Sequence, residues 1–97
     1  MIFDNLEPAG IWKYFKEICK IPRLSKNEER IRQYLIDFAK NHNLECKIDT
    51  IGNVLIIKPA NPGYEDRKSV LLQSHMDMVG EKDAATEHDW AKDPIIP

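Results

Sequence analysis

None of the short motifs that mark the commonest chemistries is present in this chain. GxxxxGK, GxGxxG, HExxH, CxxC and GxSxG are all absent. Phosphate-loop, dinucleotide, gluzincin, zinc-finger and serine-hydrolase readings therefore lose their usual support. Cysteine is scarce. Cys19 and Cys46 sit at a spacing that fits no zinc motif, and they read as free, buried thiols in a reducing cytoplasm. There is no basic stripe and no polybasic cluster. Net charge is −2 with 31% charged residues of both signs interspersed, so nothing favours nucleic acid or a membrane surface as partner. No apolar run approaches the about 18 residues that a membrane span needs. The start, Met1-Ile2-Phe3-Asp4-Asn5, has neither a basic region nor a long apolar stretch, so it does not read as a signal peptide.

What is present is an ordinary globular composition. Hydrophobic residues make up 42% of the chain, which argues against disorder. With 97 residues the chain is at most one small domain with a modest core. Pro8 stands where a helix can begin without loss of a needed N–H. Ile11, Tyr14, Phe15 and Ile18 then form one apolar stripe at helical spacing, and Pro22 stops that helix. Ser25-Lys26-Asn27-Glu28 reads as a capping box, with the Ser25 hydroxyl accepting from the third amide and Glu28 reaching back. A second helix follows, with Ile31, Tyr34, Leu35, Phe38 and Ala39 on one face, running to Asn41 or His42.

The period then changes. Residues 44–49 read as a strand, and Thr50-Ile51-Gly52-Asn53 as a turn in which Gly52 or Asn53 takes a positive φ. Residues 54–58 are an unbroken aliphatic run, as expected of a strand covered on both faces. Residues 59–68 form a polar loop, and residues 69–74 read as a further buried strand that ends at His75. The fold expected is α/β: two N-terminal helices, a β-hairpin and one more buried strand. The apolar tail Ile95-Ile96-Pro97 has no closing element, so the arrangement reads as an incomplete piece of a domain.

His75 and Asp77 carry the sharpest chemical signal. In extended backbone, residues two apart share a face, so an imidazole and a carboxylate would emerge together from the end of a buried strand. Ligands in open α/β sheets collect outside the carboxyl ends of strands. Asp77 can either fix the tautomer of a metal-bound imidazole or be a ligand itself, and spacing does not separate these roles. One histidine and one aspartate cannot close a catalytic zinc site, which takes three protein ligands and a water. The other candidates read as structural. His42 falls at a helix C-terminus, where the helix dipole favours it. His88, between Glu87 and Asp89, reads as a solvated loop residue. Trp12 and Trp90 read as packing residues, and Met76 and Met78 as core or pocket wall.

Several segments in order extend the signal. Ile21-Pro22-Arg23-Leu24-Ser25-Lys26-Asn27-Glu28-Glu29 comes first. Asp49-Thr50-Ile51-Gly52-Asn53-Val54 and Lys58-Pro59-Ala60 with Pro62-Gly63 follow. Then come Leu72-Gln73-Ser74-His75-Met76-Asp77-Met78-Val79 with Glu81-Lys82, and His88-Asp89-Trp90-Ala91-Lys92-Asp93-Pro94-Ile95. Together they resemble the M20 family of zinc peptidases, in its aminoacyl-histidine (Xaa-His) dipeptidase branch. The resemblance covers nearly the whole chain. It implies that residues 1–97 are the N-terminal part of a zinc-peptidase catalytic domain, without the family's lid or dimerisation domain. It implies hydrolysis of Xaa-His and other unblocked dipeptides by a metal-activated water, in a cytoplasmic protein that is a homodimer at full length. It assigns His75 as a ligand to one of two Zn2+ ions, with Co2+ or Mn2+ as alternatives, and Asp77 as a catalytic residue that supports the site.

The family's remaining ligands and its general-base glutamate have no counterpart here, so this chain alone is expected to be inactive. Three alternatives stay open. One is another M20 hydrolase, a tripeptidase or an N-acyl amino acid hydrolase. Another is a non-catalytic α/β module that binds a partner through open strand edges. The third is a single-metal protein using His75, Asp77 and His88.

Overall fold

The computed structural model describes residues 3–97, so Met1 and Ile2 of the N-terminal reading lie outside the described residues. Four elements follow one another: α1 (Ala9–Cys19), α2 (Glu29–Asn41), β1 (Glu45–Ile48) and β2 (Val54–Ile57). They belong to two compact units. One combines Met1–Ile31 with Met76–Pro97, and the other is Arg32–His75.

In the first unit, Pro8 precedes α1 with extended backbone, as its fixed φ and missing N–H favour. The Glu7 carboxylate accepts from the Ala9 amide at 3.0 Å. At the far end Lys20 and Ile21 donate to Glu17 and Ile18 in tight turns, and Pro22 follows. The expected stripe is covered only in part, with Ile18 half-buried. Ile11 is 62% exposed, and Tyr14 and Phe15 are also open, whereas Cys19 is buried and Trp12 half-buried. Aromatic packing joins a stripe residue to a neighbour off it: Trp12 stacks on Phe3 at 4.9 Å, and Phe15 meets Phe3 edge-on at 5.5 Å.

The α2 stripe is as expected, with Ile31 and Ala39 buried and Tyr34, Leu35 and Phe38 half-buried. Glu29 in the first turn and Lys40 in the last complement the helix dipole. The helix stops where Asn43 takes a φ of 54°, a conformation asparagine tolerates, and Leu44 donates back to Ala39 at 2.8 Å. His42, exposed at this end, stacks on Phe38 at 4.1 Å, with Nδ1 2.8 Å from the Phe38 carbonyl oxygen.

In the second unit, β1 and β2 pair antiparallel from Glu45↔Ile57 to Ile48↔Val54. Their connection is organised by Asp49. Its carboxylate accepts from the amides of Ile51 and Asn53 at 3.0 and 2.8 Å, and from Asn53 Nδ2 at 2.7 Å. These bonds, with the Asn53 side chain first, hold the Asp49 carboxyl below its usual pKa. Gly52 supplies the positive φ, 96°. Its carbonyl receives Arg32 Nε at 2.8 Å, which ties the turn to α2.

Two strand expectations need correction. Residues 54–58 are not covered on both faces: Leu55 is exposed and its neighbours are half-buried. A two-stranded ribbon has too few layers to enclose a strand. The further buried strand does not form either. Residues 69–74 have no ladder partner, and Val70, Leu71 and Leu72 are 81%, 74% and 91% exposed. An aliphatic run becomes a buried strand only when a neighbour pairs its backbone and another layer covers its side chains, and no described element does either. Both cysteines are free as expected, but only Cys19 is buried; Cys46, on the open ribbon, is half-buried.

Candidate functional site

The two units meet in the sequence between His75 and Met76, so the His-x-Asp pair is described residue by residue. His75 is an exposed side chain that follows the uncovered residues 69–74. It does not stand at the end of a buried strand, for the reason given above. Asp77 is half-buried in the other unit.

Asp77 is held from both sides of its own main chain. Residues 76–78 run parallel to residues 23–25 in an isolated bridge, Leu24↔Met78. Met78 donates to the Arg23 carbonyl at 2.8 Å, and Ser25 donates to the Met78 carbonyl at 3.1 Å. Arg23 Nη1 reaches the Met76 carbonyl at 3.5 Å, while its buried Nε has no partner. Between these anchors, the Ser25 hydroxyl donates to Asp77 Oδ2 at 2.5 Å. A neutral hydroxyl meeting a carboxylate is a short, charge-assisted bond, and at this exposed position it contributes about 1.5 kcal/mol.

The capping-box expectation is corrected by the same contact. The Ser25 hydroxyl points at Asp77, and α2 begins later, at Glu29. The Glu28 half of the motif does act on backbone, since its carboxylate accepts from the Lys26 amide at 2.8 Å. Lys26, at φ 72°, makes the turn that aims Ser25 away from the helix. Ser25 thus contacts Asp77, whereas the sequence pattern assigned it to helix capping. Its carboxylate partner lies 52 positions away, which no local spacing reveals.

His88 is half-buried rather than fully solvated, and its ring meets Trp90 edge-on at 4.5 Å. Around it, Asp89 accepts from the Ala91 amide at 2.9 Å, and Asp93 accepts from the Asp89 amide at 2.7 Å. Arg30 secures this loop by donating to the Ala91 carbonyl at 2.9 Å. An open cleft of about 670 Å³ runs beside it, walled by Pro22, Leu24, Glu29, His88, Asp89 and Trp90 among others. Neither His75 nor Asp77 lines that cleft. Among the described residues no three His, Cys, Asp or Glu side chains come together to hold a metal ion. The imidazole and the carboxylate have the right donor chemistry for zinc, but a catalytic zinc takes three protein ligands, so this chain does not close such a site.

No family model matches the chain. The cytosol non-specific dipeptidase of Escherichia coli (strain K12) is 46% identical over 94 residues, a match that covers 97% of this chain and 19% of that protein. A crystal structure of aminoacylhistidine dipeptidase from Vibrio alginolyticus superposes with a TM-score of 0.90 at 44% identity, over 95% of this chain and 19% of that one. Over nearly its whole length this chain is similar in sequence and fold to one part of these dipeptidases. A putative aminopeptidase from Acetivibrio thermocellus is 31% identical over 75 residues, covering 77% of this chain and 21% of that protein. The chain spans about a fifth of the length of the dipeptidases it matches. Its α/β arrangement of two helices and an antiparallel hairpin is that of the matched portion of the dipeptidase structure. Among the described residues no helix is long and apolar enough to cross a membrane.

Proposed function

We propose that this chain is the N-terminal part of an M20-type catalytic domain, and that the protein containing it hydrolyses Xaa-His and other unblocked dipeptides with zinc. The observation that carries this reading is 46% identity to a named dipeptidase across 97% of the chain. His75 is the metal ligand of this segment, and Asp77 supports it. When bound, the metal supplies an activated water and polarises the scissile carbonyl. This chain contributes the imidazole and a carboxylate that accepts from the Ser25 hydroxyl. Alone it holds too few ligands and is inactive. The complete protein is a cytoplasmic homodimer, and Co2+ or Mn2+ can replace zinc.

The test uses the product of the complete reading frame. After chelation it should hydrolyse Ala-His only when zinc is restored. His75→Ala should lower kcat/KM by more than about 100-fold, beyond the range for outer-shell partners. Zinc-dependent cleavage of Ala-His by the purified 97-residue chain would overturn the assignment of an incomplete site. The likeness to a putative aminopeptidase favours a second reading, an exopeptidase of longer peptides. Faster turnover of tripeptides than of Ala-His would select it.

A further inference from the structure

The cleft beside α2 is lined by charges of both signs that do not neutralise one another. Glu29 and Asp89 bring carboxylates and Arg30 a guanidinium, while Pro22, Leu24 and Trp90 give an apolar wall. Among the described residues no ion pair joins these charged groups. Ala91 holds two of them apart. Its amide donates to Asp89 Oδ1 at 2.9 Å, and its carbonyl accepts from Arg30 Nη1 at 2.9 Å. Each charge is thus anchored on one end of the same residue, with a second carboxylate oxygen and further guanidinium N–H groups to spare. The Glu29 carboxylate, in the first turn of α2, makes no ion pair among the described residues. Trp90 is braced by His88, whose ring lies 4.5 Å away, and by Gly80, where a Cβ would come within 3.5 Å of the indole. All of these residues belong to one compact unit. The cleft volume of about 670 Å³ lies within the roughly 300–1,000 Å³ range of small-ligand sites.

We propose that this cleft binds a small zwitterion with an apolar side chain, an amino acid or an unblocked dipeptide. Its ammonium lies toward Asp89 and Glu29, its carboxylate toward Arg30, and its side chain against Trp90 and Leu24. A ligand with a single charge meets an opposite charge at one pole and gains nothing at the other, so the pair of charges is what the cleft selects. Glu29, Arg30 and Asp89 are exposed, and water and salt screen them. The expected dissociation constant is therefore about 1 mM, rising with ionic strength. The inference is independent of the proposed peptidase centre, since neither His75 nor Asp77 lines the cleft and its test reads no hydrolysis.

The experiment follows the Trp90 indole N–H and the Ala91 amide by proton–nitrogen correlation NMR while the 97-residue chain is titrated with L-leucine or Ala-Leu. Leucinamide and N-acetyl-leucine, each lacking one of the two charges, are the controls. The better of the two zwitterions should bind about 10-fold tighter than either control, and which one it is identifies the source. Asp89→Asn keeps an oxygen for the Ala91 amide and removes the charge, so it should erase the preference over N-acetyl-leucine. Arg30→Gln keeps a donor for the Ala91 carbonyl and should erase the preference over leucinamide. Slow exchange of the Ser25 and Met78 amides shows that each variant is folded. If one is not, Glu29→Gln replaces it and should weaken zwitterion binding by about twofold to threefold. No shift at about 20 mM of either zwitterion overturns the proposal. So do equal affinities for the zwitterions and both controls, a preference that survives in folded Asp89→Asn and Arg30→Gln, or unchanged affinity in Glu29→Gln.

Discussion

Gly52→Ala should destabilise the 32–75 unit through two separable terms. The first is local. Gly52 sits at φ 96°, where an L side chain costs about 1–2 kcal/mol. The second is a contact. A Cβ built at this position would lie 2.4 Å from Arg32 Nη2, 2.6 Å from Cζ and 2.8 Å from Nε. The guanidinium must therefore withdraw, and the bond from Arg32 Nε to the Gly52 carbonyl is lost. A hydrogen bond with one charged partner is worth about 1.5 kcal/mol at the half-buried end of its range. The sum is about 3 kcal/mol. Urea denaturation followed by far-UV circular dichroism, with linear extrapolation, measures it. In an Arg32→Ala background only the strain remains, so the same glycine change should cost about 1–2 kcal/mol. A cost below about 0.5 kcal/mol in wild type, or an equal cost in both backgrounds, would refute the reasoning.

Ala39→Leu should cost about 1–3 kcal/mol by overpacking a residue with no exposed surface, seen as a lower urea midpoint at unchanged slope. Gly80→Ala should cost less than about 1 kcal/mol, because its Cβ meets the movable Leu24 Cδ1 at 2.5 Å; a shift in Trp90 emission, 3.5 Å away, should accompany it. The Lys16 ammonium, 2.6 Å from Asp4, lowers the Asp4 carboxyl from 3.8 to about 2. Because the folded value is the lower one, this contribution is complete above pH 3.8 and disappears as pH falls through about 2. Carboxyl NMR titration of Lys16→Met should return Asp4 toward 3.8. Asp49→Ala should remove the acceptor for Ile51 and Asn53 and increase amide exchange at both, while the β1–β2 ladder protection falls less.

Much of the local structure was legible because its causes are local. Pro8, the α2 stripe, the period change after Leu44 and the turn at Gly52 each depend on neighbours a few residues away. The misread features have distant causes. Trp12, which lies off the expected α1 stripe, is half-buried because Phe3 from outside the helix stacks on it. The Val70-Leu71-Leu72 run carries strand character in its residue types, but strand formation and burial need partners that local pattern cannot supply. Of the site, His75 and Asp77 stand out by spacing and by family resemblance. Ser25 does not, since the same four residues satisfy a capping motif.

By itself, the amino-acid order determined which segments coil, which extend and where they turn, because propensity, capping and turn chemistry act over a few bonds. It also determined the similarity to a dipeptidase, since 46% identity over nearly the whole chain is a property of the order of residues. Only the tertiary structure decided that Asp77 is held by a serine 52 positions away, and that the aliphatic run before His75 lies open. Both are questions of which surfaces meet, and contact between distant segments is set by packing geometry rather than by local backbone preference.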